Sequence, residues 1–170
     1  MSEKLNEEQK ELVKQLLSND AVVLKESLIK IRESGSVLMF SMVFDLYQRN
    51  VSRDVQEAIL KLVMDVKDKA AAPYIAEALA SRKWETGLSE LLAAIWQSGL
   101  DYGVYLPVFL PFVQSSDMNV TMEALTCIEE FFFNESVANR EIIRGDLKQI
   151  ALDSTGHHRD LVMIYLNNLK

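Results

Sequence analysis

Apolar positions along this chain recur at helical spacing, broken by short polar stretches. The clearest example runs from Ser52 to Leu79, SRDVQEAILKLVMDVKDKAAAPYIAEAL. Counted from Val55, the apolar residues Ala58, Ile59, Leu62, Val63 and Val66 come 3, 4, 7, 8 and 11 positions later, which is one stripe of an amphipathic helix. Ser52 stands where a helix N-cap oxygen would accept a bond from an unpaired backbone N–H. Lys67, Asp68 and Lys69 interrupt the stripe, and a second run opens at Ala70. Pro73 falls in its first turn, where its missing N–H would have had no helical partner. Two helices this short cannot bury their apolar faces alone, so the pattern predicts neighbours of the same kind.

Those neighbours are in the sequence. Leu28, Ile59, Leu92 and Leu125 head similar local patterns at separations of 31, 33 and 33 residues. Three positions on stand Ile31, Leu62, Ile95 and Ile128, and one position earlier Ser27, Ala58, Leu91 and Ala124. Branched apolar residues beside mostly small ones suit close helix packing. Gly35 and Gly99 follow two of the copies seven positions after the start, as a left-handed helix terminus requires. A fixed period in this range predicts stacked helical hairpins.

The segments DAVVLKESLIKI, SRDVQEAILKLV and SDMNVTMEALTCI resemble the first helix of HEAT-like repeats, and AAPYIAEAL resembles the second. The resemblance spans about Asp20 to Ile150, with Trp84–Trp96 departing most from it. The tetratricopeptide Trp–Leu–Gly–Tyr pattern and the ankyrin Thr-Pro-Leu-His are absent. What the resemblance implies is an all-α fold, a right-handed α-α superhelix (HEAT-like solenoid) of about ten helices. Residues 1–170 then form a single repeat domain: an N-terminal cap helix over 1–18, four hairpins over 20–154, and a C-terminal cap helix over 156–170.

Caps and breakers set the expected bounds. Asn6 with Gln9 makes a capping box for a helix from Asn6 to Leu17, with Leu12, Val13, Leu16 and Leu17 as its apolar face. Hairpin helices are expected near Ala21–Ser34 and Ser36–Arg49, then Ser52–Val66 and Ala70–Leu79. The third pair is expected near Thr86–Ser98 and Tyr102–Gln114, where Pro107 and Pro111 predict a kink or a late helix start. Met118–Phe133 and Ser136–Asp153 complete the fourth. The closing helix, His157–Leu169, is expected to face inward with Leu161, Ile164, Tyr165 and Leu169.

Composition narrows the partners. The balance of 18 Lys+Arg against 25 Asp+Glu leaves a net charge of −7, which disfavours nucleic acid and anionic membrane as ligands, since both attract through phosphate. The charged start MSEKLNEEQKE has no apolar signal region, and runs such as Ser36–Phe44 and Val104–Val113 are too short to span a bilayer. The cytoplasm is therefore the default compartment. Cys127, the single cysteine, lies in an apolar helical run and reads as a buried inert thiol.

Candidate chemistry is sparse, and no cofactor or metal is expected. His157 and His158 are adjacent, so on a helix they diverge by about 100°, whereas helical metal pairs are spaced three or four apart. They read as a solvated turn, and Glu129 and Glu130 as a solvated face. Phe131, Phe132 and Phe133 cannot all face one core stripe. At least one should lie under a loop or at a partner or dimer contact. Met39, Met42 and Met64 read as gap-filling core.

The second helices carry the candidate partner-binding residues Tyr47, Tyr74, Glu77, Tyr105 and Phe109. In solenoids of the resembled kind these helices line the concave face. Two readings of the rings stand side by side. They pack between hairpins with hydroxyls reaching solvent, or they form a ridge about 10 Å from ring to ring, flanked by Asp45 and Glu77, for a peptide with apolar anchors and some positive charge. The expected function is a noncatalytic protein- or peptide-binding scaffold, with a homodimer as one form of partner. An enzyme is the alternative, because HEAT-like folds include alkylated-base DNA glycosylases and bilin lyases. A homo-oligomeric structural protein is the other.

The stack itself makes a measurable prediction. Leu62→Ala, in a central repeat, should destabilise by about 2–5 kcal/mol, and Leu12→Ala, in the cap, by less. Urea melts of the two variants give the order directly.

Overall fold

A computed structural model describes residues 6–34, 37–49, 51–81, 83–84 and 86–169. Among them are ten α-helices and no strand. The chain divides into two compact units, Met1–Gly87 and Leu88–Lys170. No helix among the described residues is long and apolar enough to cross a membrane.

The first unit holds α1 (Glu7–Leu16), α2 (Ala21–Ser34), α3 (Phe40–Gln48), α4 (Arg53–Asp65) and α5 (Ala71–Ala80). A 3₁₀ turn, Val37–Met39, leads into α3. The expected capping box is present in full. Gln9 N–H donates to Asn6 Oδ1 at 2.8 Å, and Asn6 N–H donates to Gln9 Oε1 at 2.9 Å, so two otherwise unpaired backbone donors are satisfied reciprocally. Asp20 caps α2 from one side only, accepting from Val22 N–H at 2.8 Å. Ser52 precedes α4 with the extended backbone of an N-cap, yet its side chain accepts no capping bond. It contributes geometry there and no hydroxyl interaction.

Packing in this unit pairs like with like. First helices α2 and α4 lie against each other, as do second helices α3 and α5, while α1 rests on α2 and α3. Arg49 ties that first helix down: its guanidinium donates to the Leu16 carbonyl at 2.8 Å, the Ser18 carbonyl at 3.1 Å and Asn19 Oδ1 at 3.2 Å. Carbonyls at a helix C-terminus have no intrahelical donor, so one side chain closes α1. Met64, expected in the core, is exposed, because α4 turns Val55, Ile59, Leu62 and Val63 inward.

The second unit holds α6 (Leu88–Gln97), α7 (Leu110–Val113), α8 (Met118–Phe132), α9 (Val137–Asp153) and α10 (Gly156–Asn168). Here α6 packs on α8, α8 on α10, α7 on α8 and α9, and α9 on α10. The prolines act as expected. Gly103–Val108 runs as a 3₁₀ segment containing Pro107, and α7 starts late, with Pro111 in its first turn. Gly99 has φ +74° just beyond α6, the left-handed terminus its position predicted, while Gly35 lies outside the described residues.

All eight heading positions are buried: Leu28, Ile59, Leu92 and Leu125, and Ile31, Leu62, Ile95 and Ile128. Of the positions before them, Ser27, Leu91 and Ala124 are buried and Ala58 is half-buried. Ser27 makes its burial tolerable by donating to the Val23 carbonyl at 2.7 Å.

Tyr47 and Gly87 form a lock within the first unit. The Tyr47 hydroxyl donates to the Gly87 carbonyl at 3.0 Å. Gly87 has φ +71°, and a Cβ there would lie 2.8 Å from the Tyr47 ring. Gly87→Ala should therefore destabilise by at least about 2 kcal/mol, from left-handed strain together with the ring contact. Tyr47→Phe should cost about 0.5–1.5 kcal/mol. Tyr47→Leu combined with Gly87→Ala should be less damaging than the sum of its parts, since the shorter side chain vacates the clash. A double-mutant cycle by chemical denaturation measures this.

Candidate binding surfaces

The five residues expected to bind a partner differ in burial. Tyr47 is 5% exposed, because Phe40, Val43, Phe44 and Tyr47 form a single inward stripe of α3. It is a core residue and no surface anchor. Phe109 is fully buried, edge-on to Tyr102 with ring centroids 6.3 Å apart and tilted against Phe131 at 6.2 Å. It too leaves the expected set, since the 3₁₀ segment before it rotates the chain so that the ring points into the core. Tyr74 is half-buried on α5, with exposed Glu77 one turn further along. Tyr105 is half-buried in the 3₁₀ segment of the second unit. Within the first unit Tyr74 and Glu77 share α5, and with Tyr47 interior the ring ridge loses a member.

The aromatic triplet divides. Phe131 and Phe132 are buried, while Phe133 is exposed, with the Arg140 guanidinium 5.9 Å from the Phe132 and Phe133 ring centroids. Beneath them lies the interior of the second unit. Cys127 is fully buried, its Sγ donating weakly to the Leu92 carbonyl at 3.5 Å. Burial pushes the thiol well above its ordinary range, and Glu123 nearby adds to this. Burial likewise raises the Tyr102 phenol far above its usual value. A nucleophilic thiolate needs a cation or base beside it, and Cys127 has the opposite surroundings.

His157 is exposed, as expected of a solvated turn, but His158 is not idle. Its Nε2 donates to the Val113 carbonyl at 2.7 Å, and Nδ1 lies 2.9 Å from Ser154 Oγ. One imidazole thus links the end of α7 to the α9–α10 turn. Among the described residues, no group of three or more His, Cys, Asp or Glu could hold a metal ion.

An open concavity of about 650 Å³ lies elsewhere, between α9 and α10. Arg144, Lys148, Ala151 and Leu152 of α9 form one wall, and Arg159, Met163, Leu166 and Asn167 of α10 form the other. Both sets follow the spacing i, i+4, i+7, i+8, one face of each helix. Arg144 donates through Nε to the Leu169 carbonyl at 2.7 Å, and a second guanidinium nitrogen reaches the same oxygen. The end of α10 therefore returns alongside the first half of α9, and the two helices are antiparallel.

Ala151 and Leu166 are buried at the base, while Leu152 stands 68% and Met163 40% exposed. Exposed apolar side chains thus lie between cations at the edge of this concavity. The face expected for α10 needs correction here. Val162, Leu166 and Leu169 are the buried residues, Leu161 and Tyr165 are half-buried, and Ile164 is exposed. Tyr165 instead reaches α8, its hydroxyl 3.1 Å from Thr126 Oγ1. The matched spacing on two consecutive helices was in the sequence, but that the two faces adjoin was not.

No protein-family model, curated protein or solved structure matches this chain.

The two buried acids give stability an alkaline dependence. Both Cys127 and Tyr102 keep their protons in the folded state at a pH where the unfolded chain releases them. Their contribution is full below the unfolded values of about 8.5 and 10 and is lost as pH rises through the folded ones. Stability should therefore fall above about pH 8.5, with a limiting slope of about 1.4 kcal/mol per pH unit for each group. Urea melts of the wild type, Cys127→Ala and Tyr102→Phe across alkaline pH should show a shallower decline for each variant.

Proposed function

We propose that this chain is a noncatalytic binding module of the HEAT-like helical-repeat kind, which holds a protein or peptide against an open groove between neighbouring helices. The observation that carries the reading is the groove between α9 and α10, where Leu152 and Met163 face solvent above a buried apolar floor. Apolar side chains left open on two adjoining helices favour a partner that covers them. The pairing of first helix with first and second with second inside each unit supports the stacked-hairpin reading, as does burial of all eight heading positions. The α5 pair Tyr74 and Glu77 is the remaining part of the second-helix surface and stands as a secondary contact.

Affinity capture from native lysate with the full chain tests this. A saturable partner should be recovered by the wild type and lost with Leu152→Asp/Met163→Asp, while Tyr74→Ala retains most of it. Circular dichroism of each variant checks folding. Failure of the wild type to recover any saturable partner would overturn the reading. Loss with Tyr74→Ala alone would move the site to α5.

A further inference from the structure

Charge is distributed unevenly over the second unit. From Leu88 to Asn139 the chain has no Lys or Arg, and then Arg140, Arg144, Lys148, Arg159 and Lys170 follow. Three of these, Arg144, Lys148 and Arg159, line the groove between α9 and α10. Arg144 is engaged with the Leu169 carbonyl and with Glu141 Oε1 at 2.8 Å. Lys148 and Arg159 have no hydrogen-bond or ion-pair partner among the described residues. Two uncommitted cations thus flank an apolar trough in a protein whose net charge is −7.

The shape specifies what fits. Along the groove the lining residues of α9 run from 144 to 152 and those of α10 from 159 to 167. Eight residues of helix rise about 12 Å, so the trough is roughly two turns long. A furrow between two antiparallel helices is what a third helix packs into, ridges into grooves.

We propose that this groove receives an acidic amphipathic α-helix of a partner protein. The inference rests on the binding-module reading and names the occupant of the same site. Apolar residues at i, i+4 and i+7 of the incoming helix cover Ala151, Leu152, Met163 and Leu166. Carboxylates on either side of that stripe meet Lys148 on one wall and Arg159 on the other. The guanidinium of Arg159 is suited to a bidentate pair with a carboxylate. Opposite potentials speed encounter and fix register, and apolar burial supplies the affinity. An acidic partner is otherwise repelled by the chain's overall charge, so the local cations decide selectivity.

Three synthetic helical peptides with one Leu stripe and with Glu, Gln or Lys at the flanking positions test this against the full chain by fluorescence anisotropy. The Glu peptide should bind saturably, at least about tenfold tighter than the Lys peptide, with an advantage that shrinks as salt rises. Lys148→Glu/Arg159→Glu should invert the order of the Glu and Lys peptides. That inversion is a gain of binding which a merely unfolded variant cannot show.

Equal or tighter binding of the Gln or Lys peptide to the wild type would overturn the acidic assignment and leave the groove as a binding site. Binding of the Glu peptide that survives Leu152→Asp would overturn the location. If no peptide binds, the helical occupant is wrong, and the lysate capture decides separately whether the module binds at all. Light scattering at two concentrations adds a final arm: a dimer abolished by Leu152→Asp would assign the groove to a second copy of this chain and overturn the proposal.

Discussion

An isolated helix of three or four turns gains too little from its own hydrogen bonds to persist in water, and every element of this chain is subject to that constraint. The helices run from 4 to 17 residues, and each becomes stable only by laying an apolar stripe on a neighbour. The Leu and Ile positions that recur along the first helices are where this happens. Where α9 and α10 meet, Leu152 and Met163 stay exposed above buried Ala151 and Leu166, so the same side-chain chemistry that packs the fold is left open there.

Local signals were the most legible part of the sequence. Asn6 and Gln9 satisfy each other's backbone donors without help from anything distant, so their motif translates directly into geometry. Gly99 and Pro111 act on their own dihedral angles and are equally direct. The heading positions were legible because repetition averages over context. One buried Leu is ambiguous, but the same residue type at the same phase in four helices defines a face.

The second-helix surface was less legible because exposure there depends on phase and on what lies opposite. Tyr47 sits in step with Phe40, Val43 and Phe44, and its hydroxyl finds Gly87 forty residues away. Nothing local announces that partner. Phe109 follows a 3₁₀ segment, whose three residues per turn shift the facing relative to an α-helix and carry the ring inward. The groove on α9 and α10 required the antiparallel return of one helix along the other, a tertiary fact fixed in part by Arg144 holding the Leu169 carbonyl.

Arg49 has a consequence for motion. A helix of ten residues would ordinarily fray at its ends. Here the carbonyls that close α1 are held by a side chain borne just beyond α3, so the last turn of α1 cannot open while that guanidinium stays seated. The first helix and the end of α3 then behave as one cooperative unit of local unfolding.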